Sequence, residues 1–235
     1  MLTSFQNDGL AIVIGATGGI GAAVLSKLQS DGAFTQTLGL SRSVLPKLDL
    51  LDEGSIQACA QHIASVALPL RLVVDATGVL SGGGMAPEKS WQQLDAAQMA
   101  QSFAINAIGP ALLLKHFLPL LPKSGKSVFA SLSAKVGSIG DNRLGGWYSY
   151  RASKAALNQL VHTAAIELRR RAPEAICVVM HPGTVATALS SPFAKTGLDV
   201  QTPEQCAGKL LAVIDGLAAK DSGGFFNHDG TELPW

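Results

Sequence analysis

The chain has 235 residues, long enough to bury a full core and within the range of a single domain. Apolar residues make up 47% and charged residues 15%, which argues against a disordered chain and for a sheet buried on both faces. A formal net charge of +1 gives no electrostatic basis for nucleic acid or an anionic membrane as partner.

The first eight residues lack the basic start and apolar core of a signal peptide. Residues 10–14 then read as a buried strand, and a glycine-rich turn, Gly15-Ala16-Thr17-Gly18-Gly19-Ile20-Gly21, opens a helix over 19–29. A second strand covers 37–40 and ends at Ser41-Arg42-Ser43. A short third is expected at Leu48-Asp49-Leu50, followed by a helical pattern over 55–66. The fourth strand is 70–74, and a long helical region runs from 91 to 118. Within it the apolar stretch 107–121 is interrupted by Gly109, Pro110, Lys115, His116 and Pro119, which reads as too short and broken to span a bilayer.

The fifth strand is 127–132, the helix carrying Tyr150 continues to about 171, and the sixth strand is 176–180. A helix over 203–217 and a last strand at 225–227 close the chain. Alternating strands and helices imply an α/β fold: one doubly wound Rossmann-type domain over 1–235, with a mostly parallel seven-stranded sheet and helices on both faces. Cys59, Cys177 and Cys206 form no Cys-x-x-Cys and read as buried small hydrophobes. No metal is expected, and a soluble protein of the reducing cytoplasm is.

Three features carry chemistry. Glycines between a buried strand and a helix let the backbone turn tightly and bring a pyrophosphate onto the helix N-terminus. Strand two ends in Ser41-Arg42-Ser43, without the acid that grips the ribose hydroxyl of NAD. A guanidinium flanked by hydroxyls suits the 2′-phosphate of NADP instead. Tyr150 and Lys154 lie four residues apart and so share one helical face, where the cation is expected to pull the phenol pKa down from about 10. Tyr148 has Ala152 four residues on and no such partner; it and Trp147 read as pocket lining or local packing.

The spacing Gly15-x-x-x-Gly19-x-Gly21, followed by Tyr150-x-x-x-Lys154, is similar to that of the short-chain dehydrogenase/reductase family. Gly145-Gly146-Trp147-Tyr148-Ser149-Tyr150 resembles its branch of C-factor-like proteins and sniffer-type carbonyl reductases. The resemblance covers nearly the whole chain. It implies cofactor contacts along the glycine turn (Gly15, Thr17, Gly18, Gly19, Ile20 and Gly21), and at Asp49 and Leu50. Further contacts are implied at Ala76, Thr77 and Gly78, although only Gly78 matches the family's Asn-Asn-Ala-Gly. Pro182, Gly183, Val185 and Thr187 would hold the nicotinamide carboxamide, and Lys154 its ribose.

Asn106 resembles the helix Asn that holds a water in the family's proton relay. The catalytic serine has two registers. Counted from the start of the strand it is Ser133; counted back from Gly137 the place falls on Ala134, with Ser133 preceding it. Ser131, deeper in the sheet, is expected to be tolerant, and Ser138 in the loop beyond Gly137 is the fallback. What the resemblance implies is an NADP(H)-dependent oxidoreductase acting on a small carbonyl or alcohol. Tyr150 is its general acid/base, Lys154 tunes it, Ser133 holds the carbonyl oxygen, and 190–200 forms a lid. A homodimer or homotetramer is implied as well. The competing readings are an NADP-binding signalling protein with weak or no catalysis, and a plain structural domain.

Overall fold

The computed structural model describes residues 2–6, 8–82, 84–187 and 200–235, so the expected lid over 190–200, apart from Val200, lies outside the described residues. Six parallel strands form the main sheet: β1 (Leu10–Ile14), β2 (Gln36–Leu40), β3 (Leu70–Asp75), β4 (Ser127–Leu132), β5 (Ala175–His181) and, numbered last in chain order, β8 (Phe225–Asn227). Their spatial order is β2-β1-β3-β4-β5-β8. Two short strands, β6 (Thr184–Val185) and β7 (Val200–Gln201), pair separately.

Successive strand side chains point to opposite faces, and the core divides accordingly. Ala11, Val13, Leu72, Val74, Val128 and Ala130 meet helices α1 (Gly19–Asp31) and, at the end of the chain, α6 (Pro203–Gly216). Ile12, Ile14, Val73, Phe129, Cys177 and Val179 meet α2 (Glu53–Ser65), α4 (Gly109–Phe117) and α5 (Tyr148–Arg171). Strands buried on both faces account for their unbroken apolar runs. Fully burying each Val, Leu, Ile or Phe among them stabilises the fold by about 1.5–3 kcal/mol.

The expected seventh strand does not form. At Leu48-Asp49-Leu50 side chains take the backbone groups a ladder would need: Ser55 Oγ accepts from Asp49 N at 2.9 Å, and Asp49 Oδ1 from Leu51 N at 3.0 Å. Such local bonds compete with strand pairing. The long helical region is also interrupted. A turn at Trp91–Gln93 is separated from α3 (Ala96–Phe103), whose first turn is capped by Asp95, with Oδ1 accepting from Gln98 N at 2.8 Å. A π-helical turn, Ala104–Ile108, then joins α3 to α4. From Ala96 to Leu120 the helical path is 25 residues, long and apolar enough to cross a bilayer by length and composition. That run is longer than the 107–121 stretch suggested. Here it packs on the sheet beside α2 and α5.

Candidate active site

The strand order reverses between β1 and β3, which opens a crevice at their carboxyl ends. Gly15 lines it with φ +80°, and a Cβ there would stand 3.0 Å from the Ala76 carbonyl oxygen after β3. A Cβ on Gly21 would come within 2.2 Å of the Gly15 carbonyl oxygen, so only glycine permits this closeness of turn and helix. The amides of the first turn of α1 are thereby left bare, since Gly18 at the cap brings no side chain. Thr187 lies over the same turn, its Cγ2 2.8 Å from where a Gly19 Cβ would be. The glycine turn and the Pro182–Thr187 segment are thus brought together.

Gly183 carries φ +79°, and a Cβ there would meet His228 Cδ2 and Gln201 Nε2 at 2.5 Å. His181, the last residue of β5, is pushed down to about 4 by burial and by the nearby His228.

At the end of β2, Ser41 is buried and its hydroxyl is 3.2 Å from that of Ser43. Arg42 between them is exposed and makes no hydrogen bond or ion pair with the described residues. Its guanidinium is available to an anion. Leu50 packs on the helical path, its Cβ 2.7 Å from a Cβ built on Gly109. After β3, Asp75 Oδ1 accepts from Thr77 N at 3.1 Å and from Thr77 Oγ1 at 2.5 Å, fixing Ala76, Thr77 and Gly78 in the crevice. The residues present fit a dinucleotide with a phosphorylated ribose: a turn too tight for side chains, bare helix amides and an unpaired cation.

Helix α5 carries Tyr150 and Lys154. Lys154 is buried, and its Nζ donates to the Leu132 carbonyl at 2.8 Å, at the end of β4. A Cβ on Gly78 would sit 3.3 Å from both Lys154 Nζ and Asn106 Oδ1, which places Gly78 between the two. Asn106 lies in the π-helical turn and is fully buried. Its Oδ1 accepts from Val79 N at 2.8 Å, and its Nδ2 donates to Val79 O at 2.8 Å and to Ser153 Oγ at 3.2 Å. Its side chain therefore pins the loop after Gly78 to α5.

Tyr150 is half-buried, with its hydroxyl making no hydrogen bond to the described residues and its ring edge-on to Trp147 at 6.2 Å. Burial pushes the phenol up to about 12. The expected lowering by Lys154 does not occur in this structure, where burial sets the direction of the shift. Burial also lowers Lys154 to about 8, with Asp75 acting in the opposite direction.

The serines are placed as follows. Ser133 is buried and its hydroxyl donates to Asn158 Oδ1 at 2.6 Å. Ser131 Oγ donates to Asp75 Oδ2 at 2.6 Å, and Ser138 Oγ accepts from Asp141 N at 3.0 Å. Ala134 precedes the turn Lys135–Gly137, its carbonyl accepting from Gly137 N at 2.8 Å.

Two residues escape a reading of the sequence. Asn158 continues the Tyr150, Lys154 series by another four positions, so helical spacing signals it. Glu88 has no such signal. It is buried in the loop after β3, and its carboxylate accepts from Ser149 N at 3.2 Å, from Ser149 Oγ and from Gln98 Nε2 at 2.9 Å. The residue before α5, Trp147, has φ 54° and provides no side-chain cap. Glu88 takes that place from about sixty residues away, an anion at the positive end of the helix that carries Tyr150. Beside Tyr150 it also lines a small cavity with Val79, Leu80, Met85 and Pro87.

Comparison with known proteins agrees with this geometry. Residues 9–197 match the profile of the family described as short chain dehydrogenase. C-signal of Myxococcus xanthus is 41% identical over 143 residues, covering 60% of this chain and 81% of that protein. The 1-hydroxy-2-glutathionyl-2-methyl-3-butene dehydrogenase of Rhodococcus sp. (strain AD45) is 31% identical over 235 residues, 95% of this chain and 98% of that one. Among solved structures, NADPH-bound carbonyl reductase from chicken fatty liver superposes with a TM-score of 0.86 at 26% identity, covering 100% of this chain and 96% of that one. The carbonyl reductase Sniffer of D. melanogaster shares the fold, with a TM-score of 0.82 at 22% identity over 97% and 99% of the two chains.

Proposed function

Because the chain belongs to the short chain dehydrogenase family, an oxidoreductase family with a nicotinamide cofactor, we propose that it is an NADP(H)-dependent reductase of small carbonyl compounds. The observation that carries this reading is the convergence at one sheet end of a buried ammonium, a phenol one helical turn away and a glycine crevice with a free guanidinium at its rim. The bound nicotinamide supplies or takes the hydride. The protein's own residues bind, orient and handle the proton.

Arg42, with Ser41 and Ser43, holds the 2′-phosphate by charge-assisted hydrogen bonds. Nζ of Lys154 has donors left beyond the Leu132 bond and would hold the nicotinamide ribose. Pro182, Gly183, Val185 and Thr187 fix the carboxamide. Tyr150 holds a proton at Oη. A phenol near 12 stays protonated at neutral pH, so in the free protein Tyr150 carries the proton that a general acid would give. Ser133 already donates to Asn158, so its hydroxyl braces β4 against α5 and the substrate oxygen takes its proton from Tyr150.

Titration with NADPH and NADH, followed by NADPH oxidation across aldehydes, ketones and quinones, tests the reading. Exposed Ile108, Leu160 and Ile166 on the helical path and on α5 support self-association as a homodimer or homotetramer. Buried, unpaired Cys59, Cys177 and Cys206 support a cytoplasmic setting.

The likeness to C-signal favours a second reading, in which the bound cofactor serves a signalling contact. It is distinguished by tight NADPH binding with no turnover of any carbonyl.

A further inference from the structure

Two buried charges face the same end of the sheet. Asp75 and Lys154 have relative exposures of 0% and 2%, and an ion so buried is costly unless a partner compensates it. Asp75 ends β3, with Oδ1 bonded to Thr77 and Oδ2 to Ser131 Oγ at 2.6 Å. Ser131 and Leu132 are consecutive on β4, and Lys154 Nζ is held at the Leu132 carbonyl, 2.8 Å away. Gly78, three residues past Asp75, lies beside the same Nζ, which is 3.3 Å from where a Cβ on Gly78 would stand.

We propose that Asp75 is a positioning residue of the catalytic pair: clamped by Thr77 and Ser131, its carboxylate is the counter-charge that keeps buried Lys154 protonated at the Leu132 carbonyl.

The other neighbours of Lys154 cannot take this role. Tyr150 precedes it by one turn on α5 and is neutral at working pH. The turn Lys135–Gly137 packs on α5 and contributes Lys135, a like charge that is exposed and paired with Asp141 at 3.5 Å. The α3 side presents Ser102 and Asn106, which are uncharged, and β4 presents Ser131 and Leu132. Asp75 is buried at the same end of the sheet, and its charge opposes the depression that burial causes in Lys154. An acid at 75, where the resemblance has an asparagine, is thus tied to keeping the neighbouring lysine charged.

Asp75→Asn isolates the charge. The amide oxygen still accepts from Thr77, and the amide NH₂ donates to Ser131 Oγ, which turns to accept. The experiment is an NMR pH titration of cofactor-free protein carrying ¹³C-labelled lysine side chains, with the Lys154 signal identified by its loss in Lys154→Met. The inference rests on Lys154 being the cation of the proposed site. The titration needs neither cofactor nor substrate, so a protein that reduces nothing still answers it. Asp75→Asn is expected to lower the Lys154 midpoint by about one pH unit, the scale of a nearby opposite charge. A folded Asn variant with an unmoved midpoint overturns the proposal. Should that variant not fold, Asp75→Ser, which also removes the charge while keeping a hydroxyl to accept from Thr77, must lower the midpoint by a similar step. An unmoved midpoint there overturns it equally.

Discussion

Replacing Lys154 by Met is expected to leave the free protein progressively less stable relative to the parent as pH rises from neutral, whatever the offset set by Asp75 losing its counter-charge. Burial depresses the folded-state pKa of Lys154 from 10.5 to about 8. Below about pH 8 the ammonium is charged in both folded and unfolded chains, so the full cost of burying it is present. Between about 8 and 10.5 the folded protein releases the proton while the unfolded chain keeps it, and the parent gains stability as pH rises. Above 10.5 the cost has gone.

At about 1.4 kcal/mol per pH unit the linkage amounts to roughly 3 kcal/mol at pH 7 and about 1 kcal/mol at pH 10. The Met variant also loses the bond to the Leu132 carbonyl, which subtracts about 1–3 kcal/mol at every pH. The pH-dependent part is therefore the secure one. At about 2–4 °C per kcal/mol for a domain of this size, the Tm of the variant relative to the parent should fall by roughly 5–10 °C between pH 7 and pH 10. Thermal melts of both proteins across that range measure it. A Tm difference that does not change with pH would refute the reasoning.

Arg42→Ala should weaken NADPH binding by about 1–3 kcal/mol and leave NADH almost unchanged, as read by fluorescence titration of both cofactors. Equal losses for the two would show that Arg42 does not meet the 2′-phosphate. Glu88→Ala removes the acceptor at the start of α5 and should cost about 1–3 kcal/mol in urea unfolding, while Glu88→Gln, which keeps one acceptor, costs less. An unchanged midpoint for the Ala variant would remove Glu88 from its capping place. Ser133→Ala should cost stability on the same scale by leaving Asn158 Oδ1 unpartnered, with single-turnover hydride transfer slowed less than tenfold. A loss of about 10²–10³ would instead return Ser133 to the substrate carbonyl as an oxyanion-type donor.

The parts of the fold legible in the sequence are those set by local periodicity. The unbroken apolar runs at Leu10–Ile14 and Ser127–Leu132 form buried strands. The four-residue spacing of Tyr150 and Lys154 places them on one helix, as expected. Leu48-Asp49-Leu50 has the alternation of a strand, but Asp49 and Ser55 capture the backbone groups, a competition that hydropathy does not reveal. The break before α3 depends on Asp95 acting as a cap, and the π-helical turn around Asn106 leaves no mark in composition. Glu88 and Asp75 were unreadable as functional residues for a different reason. Each acts on α5 across a long stretch of chain, and a single acid in a loop or at a strand end shows nothing of its partner. The direction of the Tyr150 shift was also beyond the sequence, because it depends on how deeply the fold buries the phenol.

The most direct test of the central claim is NADPH oxidation by the parent and by Tyr150→Phe across one panel of aldehydes, ketones and quinones, with NADPH affinity measured for both. The account predicts that at least one carbonyl is reduced by the parent, and that the Phe variant binds NADPH nearly as well but keeps less than about one hundredth of that rate, the low end of what a positioned proton donor contributes. A Phe variant that turns over as fast as the parent, or a parent that does not bind NADPH, would contradict it.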